Sequence, residues 1–378
     1  MREKTHTTFE EVLPLLGARI VKGGMNRLCT CPSCGEVKFY FNSESQKGHC
    51  MNARCSEVKG SPVSVYMAVT GITDTKEALA QIHGEMQKPN YKPLQATGGE
   101  KEQSQLADRD TLNRVYLSMI GKMPLSQAHK VDMLRRGLEP EEVGTLPYGT
   151  WSWDEGTGSR ILKDAGPVQG VPGFYFDENR GWTLKNLIRK VADKVFQPYR
   201  PSILVPYYDW NHRICGIQFR KDREDVAKDE GKYMWLSSSN KNMGTSANQT
   251  VHFACDWTTD FRTGSKKPIL QDRVLLTEGA MKADISHIVT GEPIIAIAGV
   301  QAMRGLPDAL RYLKSAGVNT IVDAFDMDYL TNENVQAAMV KLREIVASAG
   351  LKYERRNWNP KYKGYDDYVV ARRKGEVE

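Results

Sequence analysis

Two stretches constrain this chain more than any others. One is Val274-Leu275-Leu276-Thr277-Glu278-Gly279; the other, about fifty residues later, is Thr320-Ile321-Val322-Asp323-Ala324-Phe325-Asp326-Met327-Asp328. Each reads as a short apolar strand that stops at acidic residues, the pattern of a strand buried in a parallel sheet. Around them strand and helix alternate: Val274–Thr277, Met281–Thr290, Ile294–Ile297, Leu306–Ala316, Thr320–Phe325 and Asn334–Ala349. That alternation predicts a parallel α/β unit. Ligands of open α/β sheets bind at the carboxyl ends of the strands. There Glu278, with Asp326 and Asp328 at i and i+2 on one side of an extended chain, can converge on a hard divalent cation. Either segment alone reads equally well as helix caps or solvated loop residues. Together they point to Mg²⁺ or Mn²⁺ and to phosphate chemistry.

A cysteine cluster lies at the other end of the chain. Cys31-Pro32-Ser33-Cys34-Gly35 is a knuckle, and Cys50 and Cys55 form a second pair about sixteen residues on. Two-residue spacing lets both thiolates of one turn face one metal, and Gly35 relieves the turn behind it. Two separated pairs of sulfurs read as structural zinc (Zn²⁺). Cys29 and His49 lie close enough to be alternative ligands, so the fourth position stays open. Lys38 to Asn42 has strand character, which makes the unit a zinc ribbon. Free cysteines or a disulfide are the competing reading, and no secretory context favours them. Cys215 reads as a core residue, and Cys255 points to nothing.

The chain has 378 residues, enough for two or three domains with their own cores. No run reaches the length of a membrane span, and the N-terminus has no apolar signal-peptide core, so a reducing cytoplasm and no membrane partner are expected. The net charge of +6 permits a polyanion partner without establishing one. Basic residues cluster at Arg135-Arg136, from Lys185 to Lys194, from Arg213 to Arg223, at Lys266-Lys267 and at Arg355-Arg356. Each cluster alone reads as a solvated face. No G-x₄-G-K-[ST] motif occurs, so no P-loop helicase is expected in this chain.

Four regions are expected: residues 1–86 as the zinc-binding domain, 87–105 as a flexible linker, 106–268 as a helical and basic region, and 269–378 as the α/β domain. Thr8 to Leu16 predicts a short helix. Ser61-Pro62 starts another, and Asp74-Thr75-Lys76-Glu77 has capping-box spacing before a third. Asp110 to Ile120, Leu125 to Leu134 and the basic run Leu184 to Val195 also read as helices. Thr145 to Asn179 shows no long period. Ser202 to Tyr208, Arg213 to Arg220 and Lys232 to Leu236 read as strands.

A zinc ribbon followed by a Glu-then-Asp-x-Asp α/β unit resembles the bacterial-type DNA primases, whose catalytic α/β unit is the toprim domain. The chain looks closest to the primase-like proteins of phages and mobile elements. Glu278-Gly279-Ala280-Met281-Lys282-Ala283-Asp284 resembles their E-G-x-x-K-A-D form, and Lys363-Gly364-Tyr365-Asp366-Asp367-Tyr368 their K-G-x-D-D-[YL] terminus. Gly216 to Arg220 with Gly231 to Ser237 resembles the basic subdomain before toprim. Three departures set it apart from housekeeping replication primases: Lys282 where many toprim proteins have Asp, Tyr329-Leu330-Thr331 after Asp328, and the wide second cysteine pair.

The resemblance implies a multidomain α+β and α/β fold: zinc ribbon, linker, and a primase RNA-polymerase core ending in toprim. It implies that Glu278, Asp326 and Asp328 hold Mg²⁺ or Mn²⁺ against the triphosphate, with Asp366 and Asp367 as a second carboxylate pair. It implies that Arg220 and Lys232 contact template or nucleotide phosphates. For Lys282, phosphate contact stands beside a surface role or a salt bridge to Asp284. The zinc ribbon would meet single-stranded template, with Tyr40 and Phe39 as stacking candidates and core as the alternative. The implied activity is RNA-primer synthesis from NTPs on single-stranded DNA, with a separate replicative helicase as partner. The rivals are a toprim-type nuclease and a non-catalytic DNA-binding replication protein.

Overall fold

The computed structural model describes residues 7–22, 26–93, 103–151, 155–186, 188–192, 195–198, 201–222 and 231–377; the side chains of 22, 155, 188–192, 195–198, 328, 330, 333 and 334 are outside that description. The chain divides into two compact units, Met1–Glu102 and Gln103–Glu378.

In the first unit α1 (Phe9–Leu15) leads into a five-stranded antiparallel sheet. Its strands are β1 (Ile20–Lys22), β2 (Asn26–Cys29), β3 (Phe39–Asn42), β4 (Lys47–Cys50) and β5 (Lys59–Gly60), ordered as they occur in the chain. The Glu11 carboxylate accepts the Thr8 backbone N–H at 2.7 Å, which fixes the start of α1. Alternation along β3 turns Phe39 and Phe41 inward, where both pack on Phe9 with ring centroids 5.5 and 4.9 Å away. Two helices close the unit: α2 (Pro62–Thr70), capped by Ser61, and α3 (Thr75–Met86), where Asp74 accepts the Glu77 N–H at 2.8 Å.

The expected linker falls across the unit boundary. Its middle, 94–102, lies outside the described residues. Before it, the Tyr91 hydroxyl donates to the Glu11 carbonyl at 3.0 Å. After it, Ser104 donates its backbone N–H to the Gly244 carbonyl at 3.1 Å.

The second unit opens with α4 (Arg109–Lys122), α5 (Gln127–Arg135), α6 (Pro140–Thr145), β6 (Gly149–Trp151) and α7 (Glu155–Ala165). Sequence periodicity misses α7 because its first turns hold Gly156, Thr157, Gly158 and Ser159; its apolar contribution to the core around α4 comes from Ile161 and Ala165. Two hairpins follow, β7 (Phe174–Asp177) with β8 (Gly181–Leu184) and β9 (Ile188–Ala192) with β10 (Val195–Pro198). The second replaces the basic helix expected over Leu184 to Val195. Ile188, Val191 and Val195 are β-branched and lose side-chain freedom in a helix, whereas a ladder accommodates them.

Next come β11 (Ser202–Tyr208), β12 (Ile214–Arg220) and β13 (Tyr233–Trp235), which form a four-stranded sheet in the order β13-β12-β11-β6. Every residue of β11 and β12 is buried. The chain continues through β14 (His252–Ala254), β15 (Trp257–Thr259) and β16 (Lys266–Pro268). It then enters the alternating unit: β17 (Arg273–Glu278), α8 (Ala280–Thr290), β18 (Ile294–Ile297), α9 (Leu306–Ser315), β19 (Thr320–Asp323), α10 (Glu333–Ser348), β20 (Lys352–Arg355) and α11 (Tyr365–Arg373).

Strands β18, β17, β19 and β20 pair in parallel, as the alternation predicts, and β14 adds an antiparallel edge beside β18. The sheet is covered on both faces. Val274, Leu276, Ile295 and Ile321 face α9 and α10, while Leu275, Ile294, Ala296 and Val322 share a core with Ala283 of α8 and Val369 of α11. The opposite flank of α8, through Ala280, Met281 and Ile285, packs on Ile203, Val205 and Tyr207 of β11. Helix α8 is therefore clamped between two sheets, and each aliphatic side chain buried there contributes roughly 1.5–3 kcal/mol. Among the described residues no helix is long and apolar enough to cross a membrane.

Candidate metal centres

The four thiols of Cys31, Cys34, Cys50 and Cys55 gather with their sulfurs within 4.8 Å of one another. The knuckle closes with the Gly35 N–H on the Cys31 carbonyl at 2.9 Å, and Gly35 takes φ of +73°, which a side chain would strain. The Asn52 N–H donates to Cys50 Sγ at 3.4 Å, and the Glu36 N–H bonds the Cys34 sulfur and lowers its pKa. Such N–H···S bonds favour the thiolates a metal needs. A tetrahedral ion with bonds of about 2.3 Å fits this donor set with small shifts. The open fourth position is closed: Cys29 is buried in the core beside Phe39 and Phe41, and His49 points its Nε2 at Met51 Sδ, 3.1 Å away. Phe39 is core and Tyr40 is exposed on the outer sheet face, in one cross-strand row with His49 and Lys59.

The acidic residues at the carboxyl edge of the parallel sheet meet around a lysine. Glu278 ends β17, and its Oε1 accepts the Asp326 backbone N–H at 3.2 Å and the Lys282 ammonium at 3.0 Å. Lys282 also donates to Asp326 Oδ1, so one ammonium bridges both carboxylates. It does not pair with Asp284: residues two apart on a helix face different sides. Lys363 Nζ stands 3.7 Å from Asp326 Oδ2.

Asp366, in the first turn of α11, closes the group from above. A Cβ built on Gly364 would lie 2.2 Å from Asp366 Oδ1 and 3.4 Å from Asp326 Oδ1, so only glycine lets these two carboxylates approach. Helix α11 is held there by Tyr365, whose hydroxyl donates to Glu292 at 2.7 Å, and by Arg356, which binds the same carboxylate.

Burial pushes the Glu278 carboxyl up to about 8, with Lys282 opposing and the Asp326 charge adding to the rise. Burial also acts against the Asp326 carboxylate, but hydrogen bonding with Glu278 and the Lys282 charge outweigh it and lower its pKa. Of the pair, Glu278 is the one that keeps a proton near neutrality. Burial raises Asp366 to about 6. Glu278 Oε2 and Asp366 Oδ1 are buried without a hydrogen-bond partner. Orphaned carboxylate oxygens are what a hard cation takes as ligands; among the described residues only the four cysteines already gather within 4.8 Å, so these carboxylates would have to close further on an ion.

Other expected site residues lie elsewhere. The side chain of Asp328 is outside the described residues; its backbone belongs to the 3-10 turn Met327–Leu330. The extended geometry that would align it with Asp326 is therefore absent, because β19 ends at Asp323 and the chain coils soon after. Asp323 itself is buried and faces away from the cluster, bonded to Arg355 at 2.9 Å and to the Tyr353 hydroxyl at 2.5 Å. Asp367 is exposed and accepts the Gly364 N–H at 3.4 Å.

Arg220 is not free for phosphate: it is buried and paired with Asp132 at 2.7 Å. It forms part of the wall of a cavity of about 570 Å³, lined by the cations Arg135, Arg136 and Lys374 and by the acids Asp132, Asp222, Asp367 and Glu376. Lys232 is exposed just before β13. Cys215 is buried.

Sequence reading misses one group. Asp284 accepts from the Tyr148 hydroxyl at 2.6 Å and faces His252 Nε2 at 2.8 Å, while His252 Nδ1 accepts the Tyr208 N–H at 3.1 Å. That backbone donor assigns the ring proton to Nε2. The network ties α8 to β11 and β14. Its one signal was the final Asp of the Glu278-to-Asp284 motif.

Over residues 268–376 the chain matches the model of a domain of unknown function, DUF3854. That stretch runs from β17 to α11 and contains the whole acidic cluster. No curated protein matches the chain. Among solved structures it is similar to the zinc-binding and RNA polymerase domains of the Aquifex aeolicus primase, at 13% identity over 97% of this chain and 82% of that one, with a TM-score of 0.46. It is also similar to a DnaG catalytic core, at 14% identity over 71% of this chain and 76% of that one, TM-score 0.44. A third is the RNA polymerase domain of the Mycobacterium tuberculosis primase DnaG, at 13% identity over 70% of this chain and 82% of that one, TM-score 0.45.

Proposed function

We propose that this chain is a DNA primase of phage or mobile-element replication, which joins ribonucleoside triphosphates on a single-stranded DNA template. The observation that carries the reading is the pairing of Glu278 and Asp326 on Lys282 at the carboxyl edge of a parallel sheet, with Asp366 nearby and one oxygen each of Glu278 and Asp366 left orphaned. Asp328 is the fourth candidate ligand. A bound Mg²⁺ or Mn²⁺ supplies charge neutralisation on the triphosphate and activation of the attacking 3′ hydroxyl. Lys282 and Lys363 bring positive charge to the edge where pyrophosphate departs. Burial of Glu278 keeps bulk water from its carboxylate, which strengthens its interaction with any cation. The α/β unit then serves as a toprim domain.

The four-cysteine site organises a sheet whose exposed face carries Tyr40 beside His49 and Lys59, a surface suited to stacking a base and holding its phosphate. Arg220 acts through the Asp132 pair as a wall of the cavity, whose lining mixes cations with acids, and Lys232 meets template backbone from just before the edge strand. A replicative helicase is the proposed partner that opens the duplex.

The test is incorporation of labelled NTPs on mixed single-stranded DNA with Mg²⁺ or Mn²⁺, beside Glu278→Gln. Short oligoribonucleotides from the wild type and at least a hundredfold fewer from the variant are expected. Template cleavage without NTP consumption would identify a nuclease instead, and full synthesis by the variant would sink the site assignment.

A further inference from the structure

The hairpin of β15 and β16 carries a feature that the acidic cluster does not use. Phe261, at its tip, is 99% exposed, whereas the next most exposed large apolar side chain among the described residues, Met51, is at 63%. Single apolar residues on a surface are ordinary, but this one is held out by a built turn. The Asp260 carboxylate accepts the backbone N–H groups of Arg262 at 2.8 Å and Thr263 at 3.3 Å. Asp260 N–H donates to the Ser265 carbonyl at 2.8 Å, Gly264 N–H returns to the Asp260 carbonyl at 2.7 Å, and the hydroxyls of Thr263 and Ser265 bond at 2.7 Å. At the base, Trp257 packs on His212 with ring centroids 4.7 Å apart.

Arg262 follows Phe261 in the turn, and Lys266 and Lys267 stand on the returning strand opposite Thr259 and Thr258. All three are exposed, and among the described residues they form no salt bridge. Lys266 and Lys267 are consecutive in a strand and so project to opposite faces of the hairpin. An exposed aromatic ring on a hairpin that carries exposed cations on both of its faces matches a chain of stacked bases with phosphates on either side. A protein partner would more often meet a wider apolar patch than one ring among three cations.

We infer that the β15–β16 hairpin is a single-strand nucleic-acid contact, in which Phe261 stacks on a base while Arg262, Lys266 and Lys267 hold the flanking phosphates. Its position separates it from the reaction centre. Ala254 of β14 pairs with Ile294, the first residue of β18, so the chain leaves β14 at the amino edge of the parallel sheet and enters β17 from that edge. The acidic cluster lies at the carboxyl edge. The hairpin therefore grips strand away from the reacting nucleotide, and the inference holds whether the cluster synthesises or cleaves.

The test is fluorescence anisotropy of the full chain with a short labelled single-stranded oligonucleotide and with the same sequence as a duplex. Phe261→Ala is compared with wild type and with the charge-reversed pair Lys266→Glu, Lys267→Glu. A base-stacking contact predicts single-strand affinity about five-fold or more weaker in Phe261→Ala, with duplex affinity unchanged and partial recovery in Phe261→Tyr. The charge-reversed pair should flatten the salt dependence of single-strand binding, by roughly one to two units of slope. Photocrosslinking from 5-iodouracil in the oligonucleotide should map to the peptide containing Phe261. Equal single-strand affinity in Phe261→Ala, equal loss on both substrates, or no single-strand binding by wild type would overturn the inference. So would a change in the chain's self-association with nucleic-acid binding intact, which would make the tip a protein contact. NTP incorporation separately reads the acidic cluster, so failure of the hairpin leaves that reading standing, and the reverse.

Discussion

Replacing Lys282 by Met removes the ammonium that bridges Glu278 and Asp326 and leaves the aliphatic stem in place. Two carboxylates then face each other, with Asp366 beside them and only Lys363, 3.7 Å from Asp326, as a neighbouring positive charge. Deleting one partner of a buried ion pair costs about 3–5 kcal/mol. Lys282 is partly open to solvent, its side chain 27% exposed, which argues for the lower end. The variant can also let Glu278 keep its proton, since that carboxyl already lies at about 8. A loss of about 2–3 kcal/mol is therefore expected without divalent metal, or roughly 5–10 °C in the transition of the second unit. Added Mn²⁺ should reverse the order. In wild type the ion must displace an ammonium that bonds both carboxylates; in Lys282→Met only the more distant Lys363, 3.7 Å from Asp326, still competes with it. A ligand at a hundred times its dissociation constant stabilises by about 2.7 kcal/mol, so saturating Mn²⁺ should recover most of the deficit. The assay is thermal unfolding followed by tryptophan fluorescence, titrated with Mn²⁺. A variant as stable as wild type without metal, or one that gains no more than wild type from Mn²⁺, would refute the bridging role.

Chelation should unfold the first unit alone: all seven tryptophans lie beyond residue 150, so loss of zinc, or Cys34→Ser, should lower far-ultraviolet ellipticity and open residues 7–93 to trypsin while tryptophan emission holds. Simultaneous loss of both signals would show that the second unit depends on the metal. Acid stability is expected to turn on His212, whose pKa burial lowers from 6.5 to about 4. A base depressed in the fold contributes stability above 6.5 that is lost as pH falls toward 4, here about 1–2 kcal/mol after allowing for its partial exposure. Because His212 sits at φ of +58°, Asn is the replacement that keeps the turn. His212→Asn should flatten the fall in urea midpoint between pH 7 and pH 5, and an unchanged slope would count against the assignment.

Local chemistry was legible in the sequence wherever one or two neighbouring residues decide the outcome. Ser61-Pro62 and Asp74 start helices because a side-chain oxygen and an orphan N–H lie three residues apart. The cysteine knuckle is legible for the same reason. What failed depends on distant partners. The resemblance implies a phosphate contact for Arg220, and no local signal shows that Asp132, 88 residues earlier, pairs with it. The run from Leu184 to Val195 read as a basic helix because its lysines and arginines suit one, while its β-branched residues find a ladder partner in β10. The three residues of β14 were too few to carry a period and became an edge strand by pairing with β18.

The stretch from Glu278 to Asp284 shows how much can be packed into one helical turn. Lys282 and Asp284 stand two residues apart and about 200° around α8, so they serve opposite flanks. Lys282 turns to the carboxyl edge and meets Glu278, four residues back, and Asp326, 44 residues on. Asp284 turns into the protein and meets Tyr148 and His252. The second set of contacts gives the first its accuracy. An ammonium on a four-carbon stem is free to rotate, and only a fixed helix can set where its base stands. Asp284 fixes α8 by hydrogen bonds to two different strands' surroundings, and burial of Ala280, Met281 and Ile285 against β11 does the rest. A charge at this edge of the sheet is therefore positioned by a buried charge on the other side of the same helix.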